Sequence, residues 1–273
     1  MKTIYQFSKT NKARRAAAKH KSISPWREHR LRLLESYERL KDKGLIGDDR
    51  LGISVRVPGQ PAFAFLGHNG SPDSKARKKA KPRTSQVAIF DFQAQSVPHT
   101  DGQERFDLTA FQDWVALHAE IYSNRLDVGA IVINRPEWGG ALAMLDEPMP
   151  GIFDEQARQM GSRVERLSRA QHNEREARVI SDADRQRLRK GANVFLYEDH
   201  ALCLGMTRER AIFNSELLEK CAKAYVLALA TGQRIRRIPW FVRFIANRRL
   251  LKDEQRSAES YARGEVPTGF TAY

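Results

Sequence analysis

His200 is the residue in this 273-residue chain best placed to do chemistry. It stands in NVFLYEDHALCLGMTRERAIFNSELLEKCAKAYVLALATG, residues 193 to 232. Residues 193–197 and 201–204 are short apolar runs. The connector Glu198-Asp199-His200 is the polar break expected where a buried strand reaches the surface. An imidazole at a strand end can serve as acid or base near neutral pH. Cys203 and Cys221 lack the spacing of a metal site and read as reduced core residues.

The elements that must hold this histidine are legible around it. Thr207 can cap the following helix, and Gly232 can close it in a left-handed conformation. Ala211, Ser215, Leu218, Ala222, Tyr225 and Leu229 recur at steps of three and four, so the helix is expected to pack on a sheet. Upstream, Ser24-Pro25 starts a helix whose Leu31, Leu34, Tyr37 and Leu40 share a face and which stops at Gly44. GISVRV (52–57) and AFAFL (62–66), joined at Pro58-Gly59, read as a hairpin, and VAIFDF (87–92) as the next strand. A helix is predicted from about Leu108 to Ser123. VGAIVI (128–133) is an uninterrupted β-branched run, the pattern of a strand covered on both faces. Glu137 to Leu145 reads as a short helix, Asp154 to Leu167 as a helix with a charged outer face, and Ser181 to Arg189 as a capped helix.

The pattern of strand, histidine turn, strand and long helix resembles the class II aldolase/adducin family, in which a histidine-glycine pair at the turn supplies a zinc ligand. Here His200 stands with Ala201. LLESYERLKDKGLIGDDRLGISVRVPG (33–59) is similar to the family's first helix and strand. VALHAEIYSNRLDVGAIVINRPEWGGALA (115–143) is similar to its central helix, strand and next helix. The resemblance covers roughly residues 25 to 238. It implies a three-layer α/β/α domain with a central, mostly antiparallel or mixed sheet, and a homo-oligomer, with a tetramer favoured.

The same resemblance implies a zinc held by two histidines after the central strand, the histidine at the later turn, and a glutamate. Such a set suits a Lewis acid that polarises a carbonyl. Carried across, the histidine pair falls on Ile133 and Arg135, and the glutamate on Trp114, with Asp113 one residue away. Isoleucine has no lone pair and arginine is permanently charged. Of the ligands only His200 is left, and the family zinc is expected to be absent. Arg135 then either binds a carboxylate or phosphate through its fork or pairs with Glu137, Asp154 or Glu155. The family's phosphate turn falls on Leu51-Gly52-Ile53-Ser54, of which Ser54 matches. Its serine-glycine pair is nearest to Asn69-Gly70, and its tyrosine proton donor falls on Asp154. His118, on the central helix, reads either as a core histidine or, with His200 and Asp113, as a proton-transfer set.

The net charge of +14 is unevenly spread. Residues 1–32 hold ten Lys or Arg and one Glu, giving +9, and residues 71–85 hold six and one Asp, giving +5, which together make the whole excess. Residues 1–23 are therefore read as a flexible basic arm, 24–238 as the domain with an exposed basic loop at 71–85, and 239–273 as a basic amphipathic helix and tail. That last helix lies against an anionic membrane, a nucleic acid or its own core with arginines outward. No apolar run is long enough to span a membrane and the N-terminus lacks an apolar signal core, so a cytoplasmic location is expected.

Three functions follow: a zinc-less binding or assembly module with an acidic partner, an enzyme acting on a small anionic carbonyl compound through Arg135 and His200, or non-specific nucleic-acid binding through the arm.

Overall fold

The computed structural model describes residues 25–46, 50–69, 86–98, 106–168 and 180–270. The arm at 1–23, the loop at 71–85 and Gly70 lie outside the described residues. The chain runs α1 (Pro25–Asp42), β1 (Leu51–Val57), β2 (Ala62–His68), β3 (Val87–Asp91), α2 (Gln112–Asn124), β4 (Ala130–Asn134) and α3 (Glu137–Ala143). It continues through β5 (Met149–Pro150), α4 (Asp154–Gln159), β6 (Arg163–Leu167), α5 (Asp182–Arg187), β7 (Val194–Tyr197), β8 (His200–Gly205), α6 (Arg208–Ala230) and α7 (Trp240–Ala262).

Among the described residues, eight strands form one sheet in the order β3-β2-β1-β4-β8-β7-β6-β5. Every pairing is antiparallel except β6 with β7. Because side chains alternate along a strand, each strand feeds two cores. Ile53, Ala64, Val132, Leu196 and Cys203 face one side, where Leu33, Tyr37 and Leu40 of α1 and Leu218 and Ala222 of α6 cover them. Phe63, Phe65, Ile131, Phe195 and Leu202 face the other, under Trp114, Leu117 and Ile121 of α2. This is the expected three-layer α/β/α arrangement with a mostly antiparallel sheet. β4 lies fourth of the eight, as its β-branched run predicts.

The helix that follows His200 is set by its ends. The Thr207 side chain accepts from the Arg210 backbone N–H at 3.3 Å, and Gly232 takes the left-handed φ of 68° that closes the chain after α6. α7 docks through polar groups: Ser257 Oγ donates to Asp127 O at 2.7 Å, Tyr261 Oη donates to Met206 O at 3.0 Å, and Glu254 Oε2 accepts from Gly191 N–H at 2.7 Å.

Three expectations are corrected. The helix expected from Asp154 to Leu167 ends at Gln159, because Gly161 turns the chain at a φ of 115° and Arg163–Leu167 then pairs as a strand with β7. α2 begins at Gln112 rather than near Leu108. Leu31 and Leu229 lie on exposed faces at 47% and 39% exposure, since α1 turns Leu33 rather than Leu31 inward and α6 runs past the sheet at its C-terminal end. α7 lies against the protein's own core, one of its three alternatives, through Leu250, Asp253, Glu254, Ser257 and Tyr261, while Trp240, Phe241, Phe244 and Ile245 face outward.

Candidate functional site

The pairing register decides which predicted residues can meet. Leu51 faces His68 on β2, Gly52 faces Ile133 on β4, and Asn134 faces Ala201 on β8. The start of β1, the end of β2, the end of β4 and the start of β8 therefore share one end of the sheet. Arg50, Asn69, Arg135, Asp199 and His200 follow or precede those strand ends and gather there.

His200 is 6% exposed, and its Nδ1 lies 2.6 Å from Asp199 Oδ1. On the same β7–β8 turn, the other Asp199 oxygen, Oδ2, is 3.5 Å from Arg135 Nε. Arg135 thus reaches Asp199, a partner that sequence reasoning did not name. Both partners are partly exposed, at 36% and 52%, so the ion pair adds at most about 1 kcal/mol and leaves the guanidinium in reach of solvent.

The other side of the imidazole is closed by Trp114. Its ring meets His200 edge-on with centroids 5.0 Å apart and is 1% exposed. The indole also touches Phe111, and the Arg50 guanidinium lies over it at 4.6 Å. Room for an indole at this place comes from β1. A Cβ on Gly52 would sit 2.9 Å from Trp114 Cε3 and 3.2 Å from Phe65 Cζ, so only glycine leaves the space the indole fills. Sequence reasoning noted Gly52 and Trp114 separately, as departures from a family pattern; the fold makes them one feature.

The zinc that the resemblance implies does not fit these residues. Ile133 is a fully buried apolar side chain, the indole N–H of Trp114 is a donor only, and Arg135 carries a fixed positive charge. Among the described residues no group of three His, Cys, Asp or Glu is placed to hold a metal ion. The backbone donors that open α3 next to Arg135 are also taken. Glu219 of α6 accepts from the N–H groups of Trp138 and Gly139, both at 2.8 Å.

His118 and Ser54 lie elsewhere. Ser54 pairs with Ile131, three residues back along β4 from the Asn134–Ala201 pair, roughly 10 Å from the His200 end. Both residues are fully buried, with His118 Nδ1 2.7 Å and Tyr122 Oη 2.8 Å from Ser54 Oγ. Burial holds the His118 imidazole down to about 3, so it is neutral at physiological pH. Asp113 is exposed on α2 beside Trp114. Asn69 is exposed at the end of β2, and its predicted partner Gly70 lies outside the described residues. Asp154, where the proton donor was sought, opens α4. The fold therefore brings His200 together with Arg135 and Asp199 and separates it from the Ser54–His118 pair. Asp199 and Arg50 were missed by sequence reasoning, the first because it was read only as part of a turn.

A cavity of about 430 Å³ opens at the opposite end of the sheet, lined by Arg32, Glu35, Val55, Thr207 and Arg208. Its guanidinium groups are already engaged, Arg32 with Glu28 at 2.6 Å and Arg208 with Glu35 at 2.8 Å.

Residues 33–226 match the family described as Class II Aldolase and Adducin N-terminal domain. Among solved structures, an L-fuculose 1-phosphate aldolase is similar at 18% identity and a TM-score of 0.62, covering 81% of this chain and 95% of its own. The L-fuculose 1-phosphate aldolase from Glaciozyma antarctica PI12 is similar at 16% identity and a TM-score of 0.60, covering 88% and 92%. An aldolase II superfamily protein from Pseudomonas syringae is similar at 18% identity and a TM-score of 0.58, covering 91% and 95%. At such identities the likeness is one of fold. No curated protein matches the sequence.

Proposed function

The chain belongs to the class II aldolase and adducin family, and within it we propose that this protein is a binding or assembly module that works without the family's metal. The observation that carries this reading is the Gly52–Trp114 pair: an indole occupies the space against His200, with Ile133 on the neighbouring strand and Arg135 just past its end. One imidazole does not hold a catalytic zinc, which needs three protein ligands. A homo-oligomer, with a tetramer favoured, and an acidic partner or small anion complete the proposal. Elemental analysis of the purified protein tests it, together with a lyase assay on sugar phosphates. The expected result is no stoichiometric zinc and no cleavage; about one zinc per chain would refute the reading.

A second reading rests on the 2.6 Å contact of His200 with Asp199 and the position of Arg135 beside them. In it, Arg135 holds a small anionic carbonyl compound while His200, oriented by Asp199, moves a proton. Thermal shifts with carboxylic acids and sugar phosphates are then lost in Arg135→Ala while the fold is kept. Identical shifts in both proteins sink it. Nucleic-acid binding through the arm at 1–23 is the third reading, and retention on heparin before and after removal of the arm tests it.

A further inference from the structure

α7 begins where the family match has ended, and its first turns have an unusual surface. Trp240, Phe241, Phe244 and Ile245 are 72%, 51%, 58% and 53% exposed. Phe241, Phe244 and Ile245 share the outward face of the helix, opposite the side on which Leu250, Glu254 and Ser257 are buried. Leu229, also exposed, lines the same surface groove as Arg234, Arg236 and Arg237 just ahead of the helix, with Glu147 at its border. From 234 to 252 the chain carries Arg234, Arg236, Arg237, Arg243, Arg248, Arg249 and Lys252, and no acidic residue. The result is an apolar tip of two aromatic types and an isoleucine inside a mainly cationic collar, with Asp154 and Glu155 of α4 lining the groove beside Ile245 and Arg249.

We propose that this tip docks on an anionic lipid bilayer, with Trp240, Phe241, Phe244 and Ile245 at the headgroup boundary and the arginines on the lipid phosphates. A helix that is apolar on the side facing the lipid and cationic around it lies in the plane of a membrane surface. Each cation near an anionic leaflet adds attraction of its own. A twofold contact with a second copy is disfavoured, because it would set the cations of one copy against those of the other, and a contact of any other symmetry is read by the oligomer arm of the test below. Single-stranded nucleic acid is less suited, because Phe241, Phe244 and Ile245 stand on the outward face of one helix rather than along a groove that tracks a backbone. None of the helices described is long and apolar enough to cross the membrane, so the association is peripheral. The inference does not depend on the reading of the His200 end.

The test is co-sedimentation of the full chain with vesicles of phosphatidylcholine containing about one third phosphatidylglycerol, against vesicles of phosphatidylcholine alone. The wild type is expected on the anionic vesicles and to be released by high salt. The triple variant Trp240→Ser, Phe241→Ser, Phe244→Ser should bind at least about tenfold more weakly. It keeps every arginine and the basic arm, and because the changed residues are exposed it should melt with the wild type. In a second variant, Arg236→Gln with Arg237→Gln, binding should weaken and depend less on salt. Binding by the triple variant equal to wild type overturns the proposal, as does failure of the wild type to bind. A wild type that ignores vesicles, with a triple variant that loses an oligomer or loses single-stranded oligonucleotide binding, assigns the surface to a second copy or to nucleic acid and overturns it too.

Discussion

If Gly52 exists to admit Trp114, the two positions must be energetically coupled with a predictable sign. Trp114→Ala removes a side chain that is 1% exposed and in contact with His200, Phe111 and Arg50. Truncation of a buried tryptophan costs about 3–5 kcal/mol. The upper part of that range applies, because Gly52 presents no side chain that could move into the void. For a chain of this size the loss lowers Tm by roughly 10 °C. Gly52→Ala in the wild type puts a Cβ 2.9 Å from Trp114 Cε3 and should cost about 1–3 kcal/mol. In the Trp114→Ala background the closest clash is gone, leaving the 3.2 Å approach to Phe65. There alanine also gains about 0.5–1 kcal/mol over glycine within a strand. The substitution should then be neutral or stabilising, and the cycle should show a coupling of at least about 1 kcal/mol. Urea denaturation of the four proteins measures it. Additive costs within about 0.5 kcal/mol would show that the indole does not fill the space beside Gly52.

Two buried groups predict opposite slopes of stability with pH. The His118 imidazole, held down to about 3 by burial, stays neutral while the unfolded chain takes up a proton below about 6.5; its contribution is lost as pH falls from there, by up to about 1.4 kcal/mol per unit, and His118→Asn should flatten that acid limb in pH-dependent denaturation. Glu254 is pushed up to about 7, chiefly by burial, against the attraction of Arg125; the folded protein keeps a proton that the unfolded chain loses above about 4.5, so stability falls as pH rises through this window, by about 3 kcal/mol in all. Glu254→Gln, which can still accept from Gly191 N–H, should remove that fall and leave the rising His118 limb exposed between pH values of about 4.5 and 6.5; an unchanged profile would contradict the placement of Glu254 on the buried side of α7. Thr207→Ala removes the acceptor for Arg210 N–H at the start of α6 and should cost about 1 kcal/mol in the same assay.

The framework was readable because its signals are local. A β-branched run such as residues 130–133, a hairpin turning at Pro58-Gly59, and the Thr207 and Gly232 ends of α6 each declare themselves within a few residues. What failed was non-local. RVERL at 163–167 has helical spacing of charge and becomes a strand only because Gly161 reverses the chain and β7 offers a parallel partner. Leu31 and Leu229 fit an apolar helical face in the sequence, but which arc of a helix meets the sheet is decided by where the helix crosses it, and both fall outside.

The candidate site shows the same division more sharply. Asp199 is adjacent to His200 in sequence, yet its two oxygens reach His200 on one side and Arg135 on the other only because β4 and β8 are paired in register at Asn134 and Ala201. Gly52 and Trp114 are 62 positions apart, and nothing local in either segment marks them as partners; a missing Cβ gains meaning only when the side chain that uses the vacated space is known. The single-residue comparison with the family treats Trp114 as the loss of a carboxylate. The three-dimensional one treats it as the gain of a packed ring, with the strand beneath it altered to match. That distinction bears on function. An accidental loss of one ligand would leave an underfilled, polar space at His200, whereas a fitted indole makes that space part of the core, so that restoring a carboxylate at position 114 alone would bury a charge between Phe65 and Phe111 rather than rebuild a metal site.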